Sequence, residues 1–345
     1  MSKRLDTIPQ LDSLRCLAAF MVILVHYIYT FRLGSFPFGK YGVYIFFVIS
    51  GYLITAILLE QKDTGEPRLL LVKNFIIKRA LRIFPIYYLL LLFWVFLSHV
   101  GFAGWHKGDG IYYYTYTSNI LFFYKGFQFT QLDHTWTLAV EEQFYLFWPW
   151  IILFLPRKKE TWIILLLVVF SFIFKIVDVK SKYHFLTVSH FDTLGIGALI
   201  ACMKKYNHTF SIEILNKFKI PVIIVTSLLL LSESYWVLPG VFHYLCLLVL
   251  PAALVIGCFN GFKGVVGYVL NNSAVRYLGK ISYGIYLYHM SIPIVLGVLF
   301  TNVLNITVNH LVMFVLCICT TILIAHLSYQ IIEKIFIRLK TKFDV

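Results

Sequence analysis

Residues 11–31 read LDSLRCLAAFMVILVHYIYTF, an apolar segment long enough to cross a bilayer that nevertheless contains Arg15 and His26. On an α-helix these two residues share one face, roughly 20° past three full turns and about 16 Å apart along the axis. Ionisable groups in membrane helices normally face the interior of a helix bundle or a wet cavity, because lipid penalises them. The segment therefore predicts a membrane fold with a functional site on one face of its first helix.

The rest of the chain has the composition of a polytopic membrane protein. Hydrophobic residues make up 60% of the 345 residues and charged residues only 13%, which a soluble domain of this length would not show. The net charge of +14 would suit nucleic-acid binding only if the basic residues clustered on a soluble surface. They lie between apolar segments instead, so we expect the lipid bilayer, and no nucleic acid, as a partner.

Cysteine spacing gives no sign of a metal or redox site. The six cysteines lie within or at the ends of predicted spans, and none has the CxxC spacing. This pattern favours small buried side chains. We also expect the first apolar segment to be retained, because no small-residue cleavage site follows it.

Apolar runs long enough to cross about 30 Å of hydrocarbon occur ten times. They cover roughly residues 11–31, 40–60, 81–101, 135–155, 161–178, 187–203, 219–237, 243–262, 281–301 and 308–333. With the N-terminus inside, 22 of the 30 Lys and Arg residues fall in predicted cytoplasmic segments and 6 in predicted outer segments, the other two lying inside spans. We predict an all-α fold of about ten transmembrane helices with both termini cytoplasmic, and residues 1–345 as a single domain.

This orientation places two adjacent acids, Glu141 and Glu142, at the depth of His26. They lie about two turns into the fourth span, which begins TWTLAVEEQFYLFWPW at residue 135. A carboxylate beside an imidazole orients the ring and raises its basicity, as a general base requires. The alternative is a buried ion pair that only holds helices together. Trp136, at the start of the same span, is a candidate substrate-binding residue.

A basic pair precedes the third span in the sequence KNFIIKRALRIFPIYY, residues 73–88. Arg79 and Arg82 are three positions apart and share one helix face at the inner interface. Because Arg binds phosphate oxygens bidentately, the pair suits a phosphate-bearing ligand that arrives from the cytoplasm. Anchoring to anionic lipid is an equally good explanation of the spacing.

Three further spans contain candidate substrate-binding residues. Ser50 and Gly51 interrupt the bulky run GVYIFFVISGYLIT and allow close approach of a ligand or, alternatively, of a neighbouring helix. Asp192, near the outer end of the sixth span, is either a wall of the site or a helix cap. Tyr286 and His289 lie one turn apart near the middle of the ninth span, where His289 is either a site residue or a satisfied core residue.

The outer segment 102–134 is rich in aromatic residues. Such side chains can stack on sugar rings, although an interfacial belt explains them without a ligand. The stretch 111–124 also allows a partial insertion into the membrane. The aromatic residues are Trp105, Tyr112, Tyr113, Tyr114, Tyr116, Phe122, Phe123 and Tyr124.

Six motifs in order resemble the membrane-bound acyltransferase family 3 over about residues 10–335. They are the R-x10-H spacing of Arg15 and His26, GVYIFFVISGYLIT, Arg79-x-x-Arg82, EEQFY at 141–145, FDTLGIGALIA at 191–201 and SYGIYLYH at 282–289. The resemblance implies a ten-span enzyme of the bacterial inner membrane. Such enzymes move acyl groups, usually acetyl, from cytoplasmic acyl-CoA to extracytoplasmic carbohydrates such as O-antigen, exopolysaccharide or peptidoglycan.

The same resemblance implies roles for individual residues. It makes His26 catalytic, places Arg79 and Arg82 on the CoA side, and implies acetyl-CoA as co-substrate with no metal. Some members of the family carry a fused extracytoplasmic esterase-like domain. Because the chain stops soon after its tenth predicted span, we expect a stand-alone form.

These inferences combine into one mechanism. Arg15, Arg79 and Arg82 hold the CoA phosphates at the inner face while the thioester reaches His26. His26, backed by Glu141 or Glu142, then either deprotonates a hydroxyl of a carbohydrate or lipid-linked glycan for direct transfer, or carries the acyl group itself. The alternatives are a transporter or flippase for lipid-linked glycans, and a non-catalytic component of a polysaccharide export complex.

Overall fold

The computed structural model describes residues 8–34, 38–100, 108–127, 130–177, 183–206, 209–232 and 240–343. All regular structure within these ranges is helical, which confirms the predicted all-α class. The α-helices are α1 (Pro9–Thr30), α2 (Gly39–Lys62), α3 (Arg68–His99), α4 (Gly110–Tyr114), α5 (Ser118–Lys125), α6 (Thr135–Phe154), α7 (Arg157–Val177), α8 (Phe191–Lys205), α9 (Thr209–Lys217), α10 (Lys219–Ser232), α11 (Gly240–Phe259), α12 (Gly264–Asn271), α13 (Ser273–Lys280), α14 (Ser282–Tyr288), α15 (Ser291–Val298), α16 (His310–Ser328) and α17 (Lys334–Leu339).

Six helices of the described chain are long and apolar enough to cross a membrane. They are α1, α2, α3, α7, α11 and the long helix His310–Phe343 that begins with α16. The pair Ser282–Tyr288 and Ser291–Val303 is bent by 52° and would form a seventh span. The chain is therefore a multi-pass membrane protein. The predicted spans at 135–155, 187–203 and 219–237 correspond to α6, α8 and α10, which are not among these six, so the count of ten and the cytoplasmic termini stay predictions.

Helix α2 lies at the centre of the bundle and packs against α1, α6, α8 and α11. Its contact with α8 depends on two glycines. A Cβ at Gly51 would lie 1.9 Å from the carbonyl oxygen of Leu194, and a Cβ at Gly197 would lie 2.1 Å from the carbonyl oxygen of Val48. The two backbones therefore touch, and close helix packing is the reason for the small residue at position 51.

Ion pairs join three helix ends on the side predicted to be cytoplasmic. Lys62 pairs with Glu160 at the start of α7, and Arg157 pairs with Asp63 at the end of α2. Lys205, at the end of α8, also lies 2.5 Å from Asp63. The end of α2, the start of α7 and the end of α8 thus meet at one end of the bundle. This agrees with their order as the second, fifth and sixth predicted spans, because consecutive spans cross a membrane in opposite directions.

The aromatic segment before α6 packs into the bundle through α4 and α5. Tyr113, Tyr116 and Phe122 are buried in the main core. Tyr116 has a φ of +53° and stacks on Tyr87 of α3, with ring centroids 4.2 Å apart. Tyr114 and Tyr124 of the same segment are exposed, so the partial insertion and the interfacial belt both stay predictions. Trp105 lies outside the described residues.

Candidate active site

Helices α1, α2, α3, α6 and α14 surround a cavity of about 100 Å³. Seven of the eleven residues predicted as site residues line it. The polar lining consists of Arg15, Ser50, Arg79, Arg82, Thr137, Glu141, Glu142, Tyr145, Ser282, Tyr283 and Tyr286. Residues from opposite ends of the sequence therefore converge on one space, and this convergence makes the cavity the candidate active site.

Arginines form the charged wall of the cavity. The Arg15 guanidinium lies 3.6 Å from Asp12, one turn earlier on the same helix. The Arg79 guanidinium lies over the rings of Phe75, at 5.4 Å, and Tyr145, at 5.8 Å. Within the described ranges, neither Arg79 nor Arg82 forms a hydrogen bond or an ion pair with a protein group. Both guanidiniums therefore keep their hydrogen-bond donors for an anionic ligand.

The two glutamates, both on α6, also line the cavity. Glu141 is within electrostatic reach of Arg15 and Arg79 and beside Ser50. The Ser50 hydroxyl is 2.6 Å from the Tyr145 hydroxyl, so these two residues of the cavity lining form a hydrogen bond. One carboxylate oxygen of Glu142 is buried and has no hydrogen-bond partner among the residues that the structure describes. A buried acceptor without a donor favours binding of a ligand hydroxyl or amide there.

His26 lies outside this cavity, beside His289. The His289 Nε2 atom is 3.1 Å from the His26 Nδ1 atom, and the His289 Nδ1 atom is 2.5 Å from the carbonyl oxygen of Tyr286. The Tyr27 hydroxyl donates to the backbone carbonyl of His289 at 2.8 Å and lies 2.7 Å from the Thr321 hydroxyl. The pair is thus held by α1, α14 and α16.

This geometry assigns the tautomers of both imidazoles. A carbonyl oxygen only accepts, so the His289 Nδ1 atom must be the donor to Tyr286. In neutral His289 the Nε2 atom then accepts, and the proton between the rings belongs to Nδ1 of His26. The Nε2 atom of His26 is consequently left with a free lone pair, which is the form that a base or a nucleophile needs.

The expected contact between His26 and Glu141 or Glu142 does not occur among the described residues. The reason is helix packing, because α1 packs mainly on α2 and α13 and meets α14, rather than α6, beside His26. The span orientation predicts a common depth for His26 and the two glutamates, but depth alone does not identify which side chains are in contact. The imidazole partner of His26 is His289, and the glutamates face the arginines.

Tyr286 lines the cavity and also lies beside the histidine pair, with its ring centroid 5.4 Å from that of His289. Its hydroxyl lies 2.6 Å from that of Thr137 and donates to the carbonyl of His134 at 3.1 Å. The Phe46 ring meets the Tyr286 ring edge to face, with centroids 6.0 Å apart. The backbone carbonyl of Tyr286 orients the His289 ring, while the side chain of Tyr286 lines the cavity.

His134 is a third imidazole beside this pair and was not among the predicted site residues. Its ring centroid lies 4.9 Å from that of His289, and its Nε2 atom donates to the carbonyl of Leu287 at 3.1 Å. Its Nδ1 atom is buried without a hydrogen-bond partner in the described structure. The only sequence signal for it is its position directly before the fourth span.

Asp192 and Trp136 do not line the cavity. Asp192 accepts two hydrogen bonds from the Lys175 ammonium, at 2.8 and 2.9 Å, and one from the Thr193 amide at 2.6 Å. This buried ion pair ties α7 to the start of α8, where Asp192 lies in the first turn and His190, rather than Asp192, is the N-cap residue. Trp136 packs on the rings of His184 and His190.

The described residues contain no group of three or more His, Cys, Asp or Glu side chains placed to hold a metal ion. The site is instead built from guanidinium, carboxylate, imidazole and hydroxyl groups, which can bind an anion and move a proton.

Comparison with known proteins gives a consistent result. The model of the family described as "Acyltransferase domain" matches residues 8–329. A Staphylococcus aureus (strain COL) protein with a provisional O-acetyltransferase name is 31% identical, over 97% of this chain and 58% of its own length. Peptidoglycan O-acetyltransferase OatA of Listeria monocytogenes is 29% identical, over 94% of this chain and 55% of its own length. The chain thus spans a little over half the length of these relatives. No solved structure matches it.

Proposed function

Because this chain belongs to the acyltransferase family 3, we propose that it transfers an acyl group, acetyl in the first instance, from cytoplasmic acetyl-CoA to a hydroxyl of an extracytoplasmic sugar. The sugar belongs to a cell-surface polysaccharide or exopolysaccharide, and the membrane is the bacterial inner membrane. The observation that carries the proposal is the pair Arg79 and Arg82, which lines the cavity and forms no ion pair or hydrogen bond with a described protein group. Its guanidiniums fit the phosphates of a CoA donor.

The donor lies along the cavity in this proposal. Arg79, Arg82 and Arg15 bind the phosphates, and the pantetheine arm runs between α2, α6 and α14 toward Tyr286. The thioester reaches His26 only when the Tyr286 side chain moves away from Thr137. A small shift of this side chain would open the donor cavity to the histidine pair, so Tyr286 governs contact between the donor and the base.

Direct transfer is the first of two chemical routes. The acceptor hydroxyl gives its proton to the Nε2 atom of His26, and its oxygen attacks the thioester carbonyl carbon. The carbon–sulfur bond breaks, and the CoA sulfur takes the proton back from the imidazolium. Glu142, with its unpartnered carboxylate oxygen, accepts a hydrogen bond from the donor or acceptor.

In the second route the Nε2 atom of His26 attacks the thioester itself and expels the CoA thiolate. The acyl-imidazole then passes its acyl group to the acceptor oxygen, and the hydroxyl proton neutralises the thiolate. The Nδ1 proton of His26 stays on His26, in its hydrogen bond to the Nε2 atom of His289, in both routes. The two routes differ in whether an acylated protein exists without an acceptor.

The test is CoA release by the purified protein in sealed vesicles supplied with radiolabelled acetyl-CoA. With muropeptides or exopolysaccharide fragments as acceptors, we expect CoA release with label on the sugar. Label on the protein in the absence of acceptor would identify the acyl-histidine route, and its absence under quenched conditions would identify direct transfer. Movement of lipid-linked glycan without any CoA release would instead favour a transporter.

The hydrogen bonds of His289 predict a specific pattern of substitution effects. His289→Leu is expected to lower the transfer rate about 100-fold, because the Nδ1 tautomer of His26 is no longer fixed. His289→Gln is expected to retain much more activity, since an amide can donate to the Tyr286 carbonyl and accept from His26. The readout is the transfer rate at saturating acetyl-CoA, with the KM for acetyl-CoA measured beside it.

His289 acts as a positioning residue in this scheme, so the donor KM should change little in either variant. Equal loss in the Leu and Gln variants would show that His289 only fills space. A large rise in donor KM would place it in the donor site instead.

A further inference from the structure

A lysine outside the cavity extends the cationic wall formed by Arg79 and Arg82. Lys340 begins the last described turn, Lys340–Phe343, which packs with α17 against α3. There its ammonium lies within electrostatic reach of Arg82, Arg79 and Lys78. Residues 78–82 and residue 340 are far apart in sequence, so the fold brings these cations together.

Glu333 is the acid beside Arg82 and Lys340 in this cluster, whereas Glu141 and Glu142 lie within electrostatic reach of Arg79. Glu333 is 5% exposed and lies on the π-helical turn Tyr329–Glu333, within electrostatic reach of Arg82 and Lys340. One of its carboxylate oxygens has no hydrogen-bond partner in the described structure. Neither Arg82 nor Lys340 forms an ion pair or hydrogen bond with any described group. Arg82 and Lys340 thus share Glu333 as a nearby acid without a direct contact to it.

Like charges held close together in a partly buried place repel one another, and a bound anion removes that repulsion. Lys340 is partly buried, whereas Lys342 in the same turn and Lys73 on α3 are exposed. A lysine that only anchored the protein to lipid headgroups would be expected to resemble the exposed pair. The position of Lys340 favours a ligand held against α3.

We propose that Lys340 binds a phosphate group of the nucleotide part of the acyl donor, next to the phosphates held by Arg79 and Arg82. The inference rests on the proposed function, because it takes a CoA thioester as the donor. The family match ends at residue 329, so Lys340 lies in a part of this chain that the match does not cover. The ligand class is a nucleotide thioester with several phosphate esters, of which the lysine binds one.

The test compares Lys340→Gln with Lys342→Gln in nanodiscs of phosphatidylcholine, with binding measured by calorimetry. The ligands are acetyl-CoA, its 3′-dephospho form and acetyl-pantetheine, which carries no nucleotide. We expect Lys340→Gln to weaken acetyl-CoA binding about 10-fold and to leave acetyl-pantetheine binding unchanged. Lys342→Gln should change acetyl-CoA binding less than about 2-fold, and Lys340→Arg should retain wild-type binding.

The other outcomes each overturn the proposal. An unchanged affinity in Lys340→Gln, an equal loss in Lys342→Gln, or a loss in Lys340→Arg as large as in Lys340→Gln would exclude a phosphate contact by this charge. A difference between wild type and Lys340→Gln that appears only in phosphatidylglycerol discs would assign the lysine to lipid. Failure of the wild-type protein to bind any of the three compounds would instead remove the proposed function on which this inference rests.

Discussion

Replacement of His26 by Asn is expected to lower acyl transfer by about a thousand-fold, within the range by which general acid–base groups contribute to catalysis. The Asn side chain is short and can keep a polar contact toward His289, but it offers no basic nitrogen at the position of Nε2. The measurement is CoA release and label on the acceptor at saturating acetyl-CoA. Binding of acetyl-CoA itself should stay close to wild type, since His26 lies outside the cavity that the arginines line.

His99→Gln is the matched control for this variant. His99 is exposed at the end of α3, and its ring forms a hydrogen bond with the Val95 carbonyl one turn earlier. Its replacement should leave transfer unchanged. If His26→Asn retained more than about a tenth of wild-type transfer, His26 could be neither the base nor the acyl carrier, and His134, the other imidazole beside His289, would be the next candidate.

The first helix shows what the sequence could predict. The apolar length of residues 11–31 predicts a spanning helix, and the structure has one at Pro9–Thr30. The positions of Arg15, Arg79 and Arg82 at one level also follow from charge distribution and helix geometry, and the structure places all three on one cavity. These predictions hold because they depend on local periodicity and on the cost of charge in lipid.

The contacts of His26 show what could not be predicted. Depth in the membrane is a single coordinate, and it cannot state which of several helices at that depth is the neighbour. The kinked connection between α14 and α15 places His289 against α1, and hydropathy alone does not predict a 52° bend. His134 was missed for the same reason, because only tertiary packing brings the residue before α6 against α14.

Asp192 illustrates a different limit. Its partner, Lys175, is one of the two basic residues that lie inside predicted spans. The position of Asp192 at a helix start is compatible both with a wall of the site and with a helix cap. The structure shows two hydrogen bonds between Lys175 and Asp192. A buried acid and a buried base in neighbouring spans are better explained by each other than by an absent ligand, because an unpaired buried charge is costly.

Replacement of Arg82 by Gln is expected to raise the KM and the dissociation constant for acetyl-CoA about 30-fold, which corresponds to about 2 kcal/mol for a charge-assisted hydrogen bond. Arg82 forms no hydrogen bond or ion pair with a described protein group, so its removal breaks no direct contact, and Glu333 keeps Lys340 as a nearby cation. The loss should therefore appear in donor binding rather than in protein stability. The measurements are calorimetric binding of acetyl-CoA and thermal unfolding of the detergent-solubilised protein.

Arg79 is a less clean test, because its guanidinium also lies over the rings of Phe75 and Tyr145, and its removal would disturb that packing. Arg82→Lys should fall between wild type and Arg82→Gln, since an ammonium keeps the charge but cannot bind a phosphate bidentately. Lys73→Gln, an exposed cation on α3, should leave donor affinity unchanged. If Arg82→Gln and Lys73→Gln had equal small effects, the basic residues of α3 would be lipid anchors. An Arg82 effect that is large, specific to the donor and independent of lipid charge would assign the cavity to the nucleotide, because a lipid anchor has no reason to distinguish one soluble thioester from another.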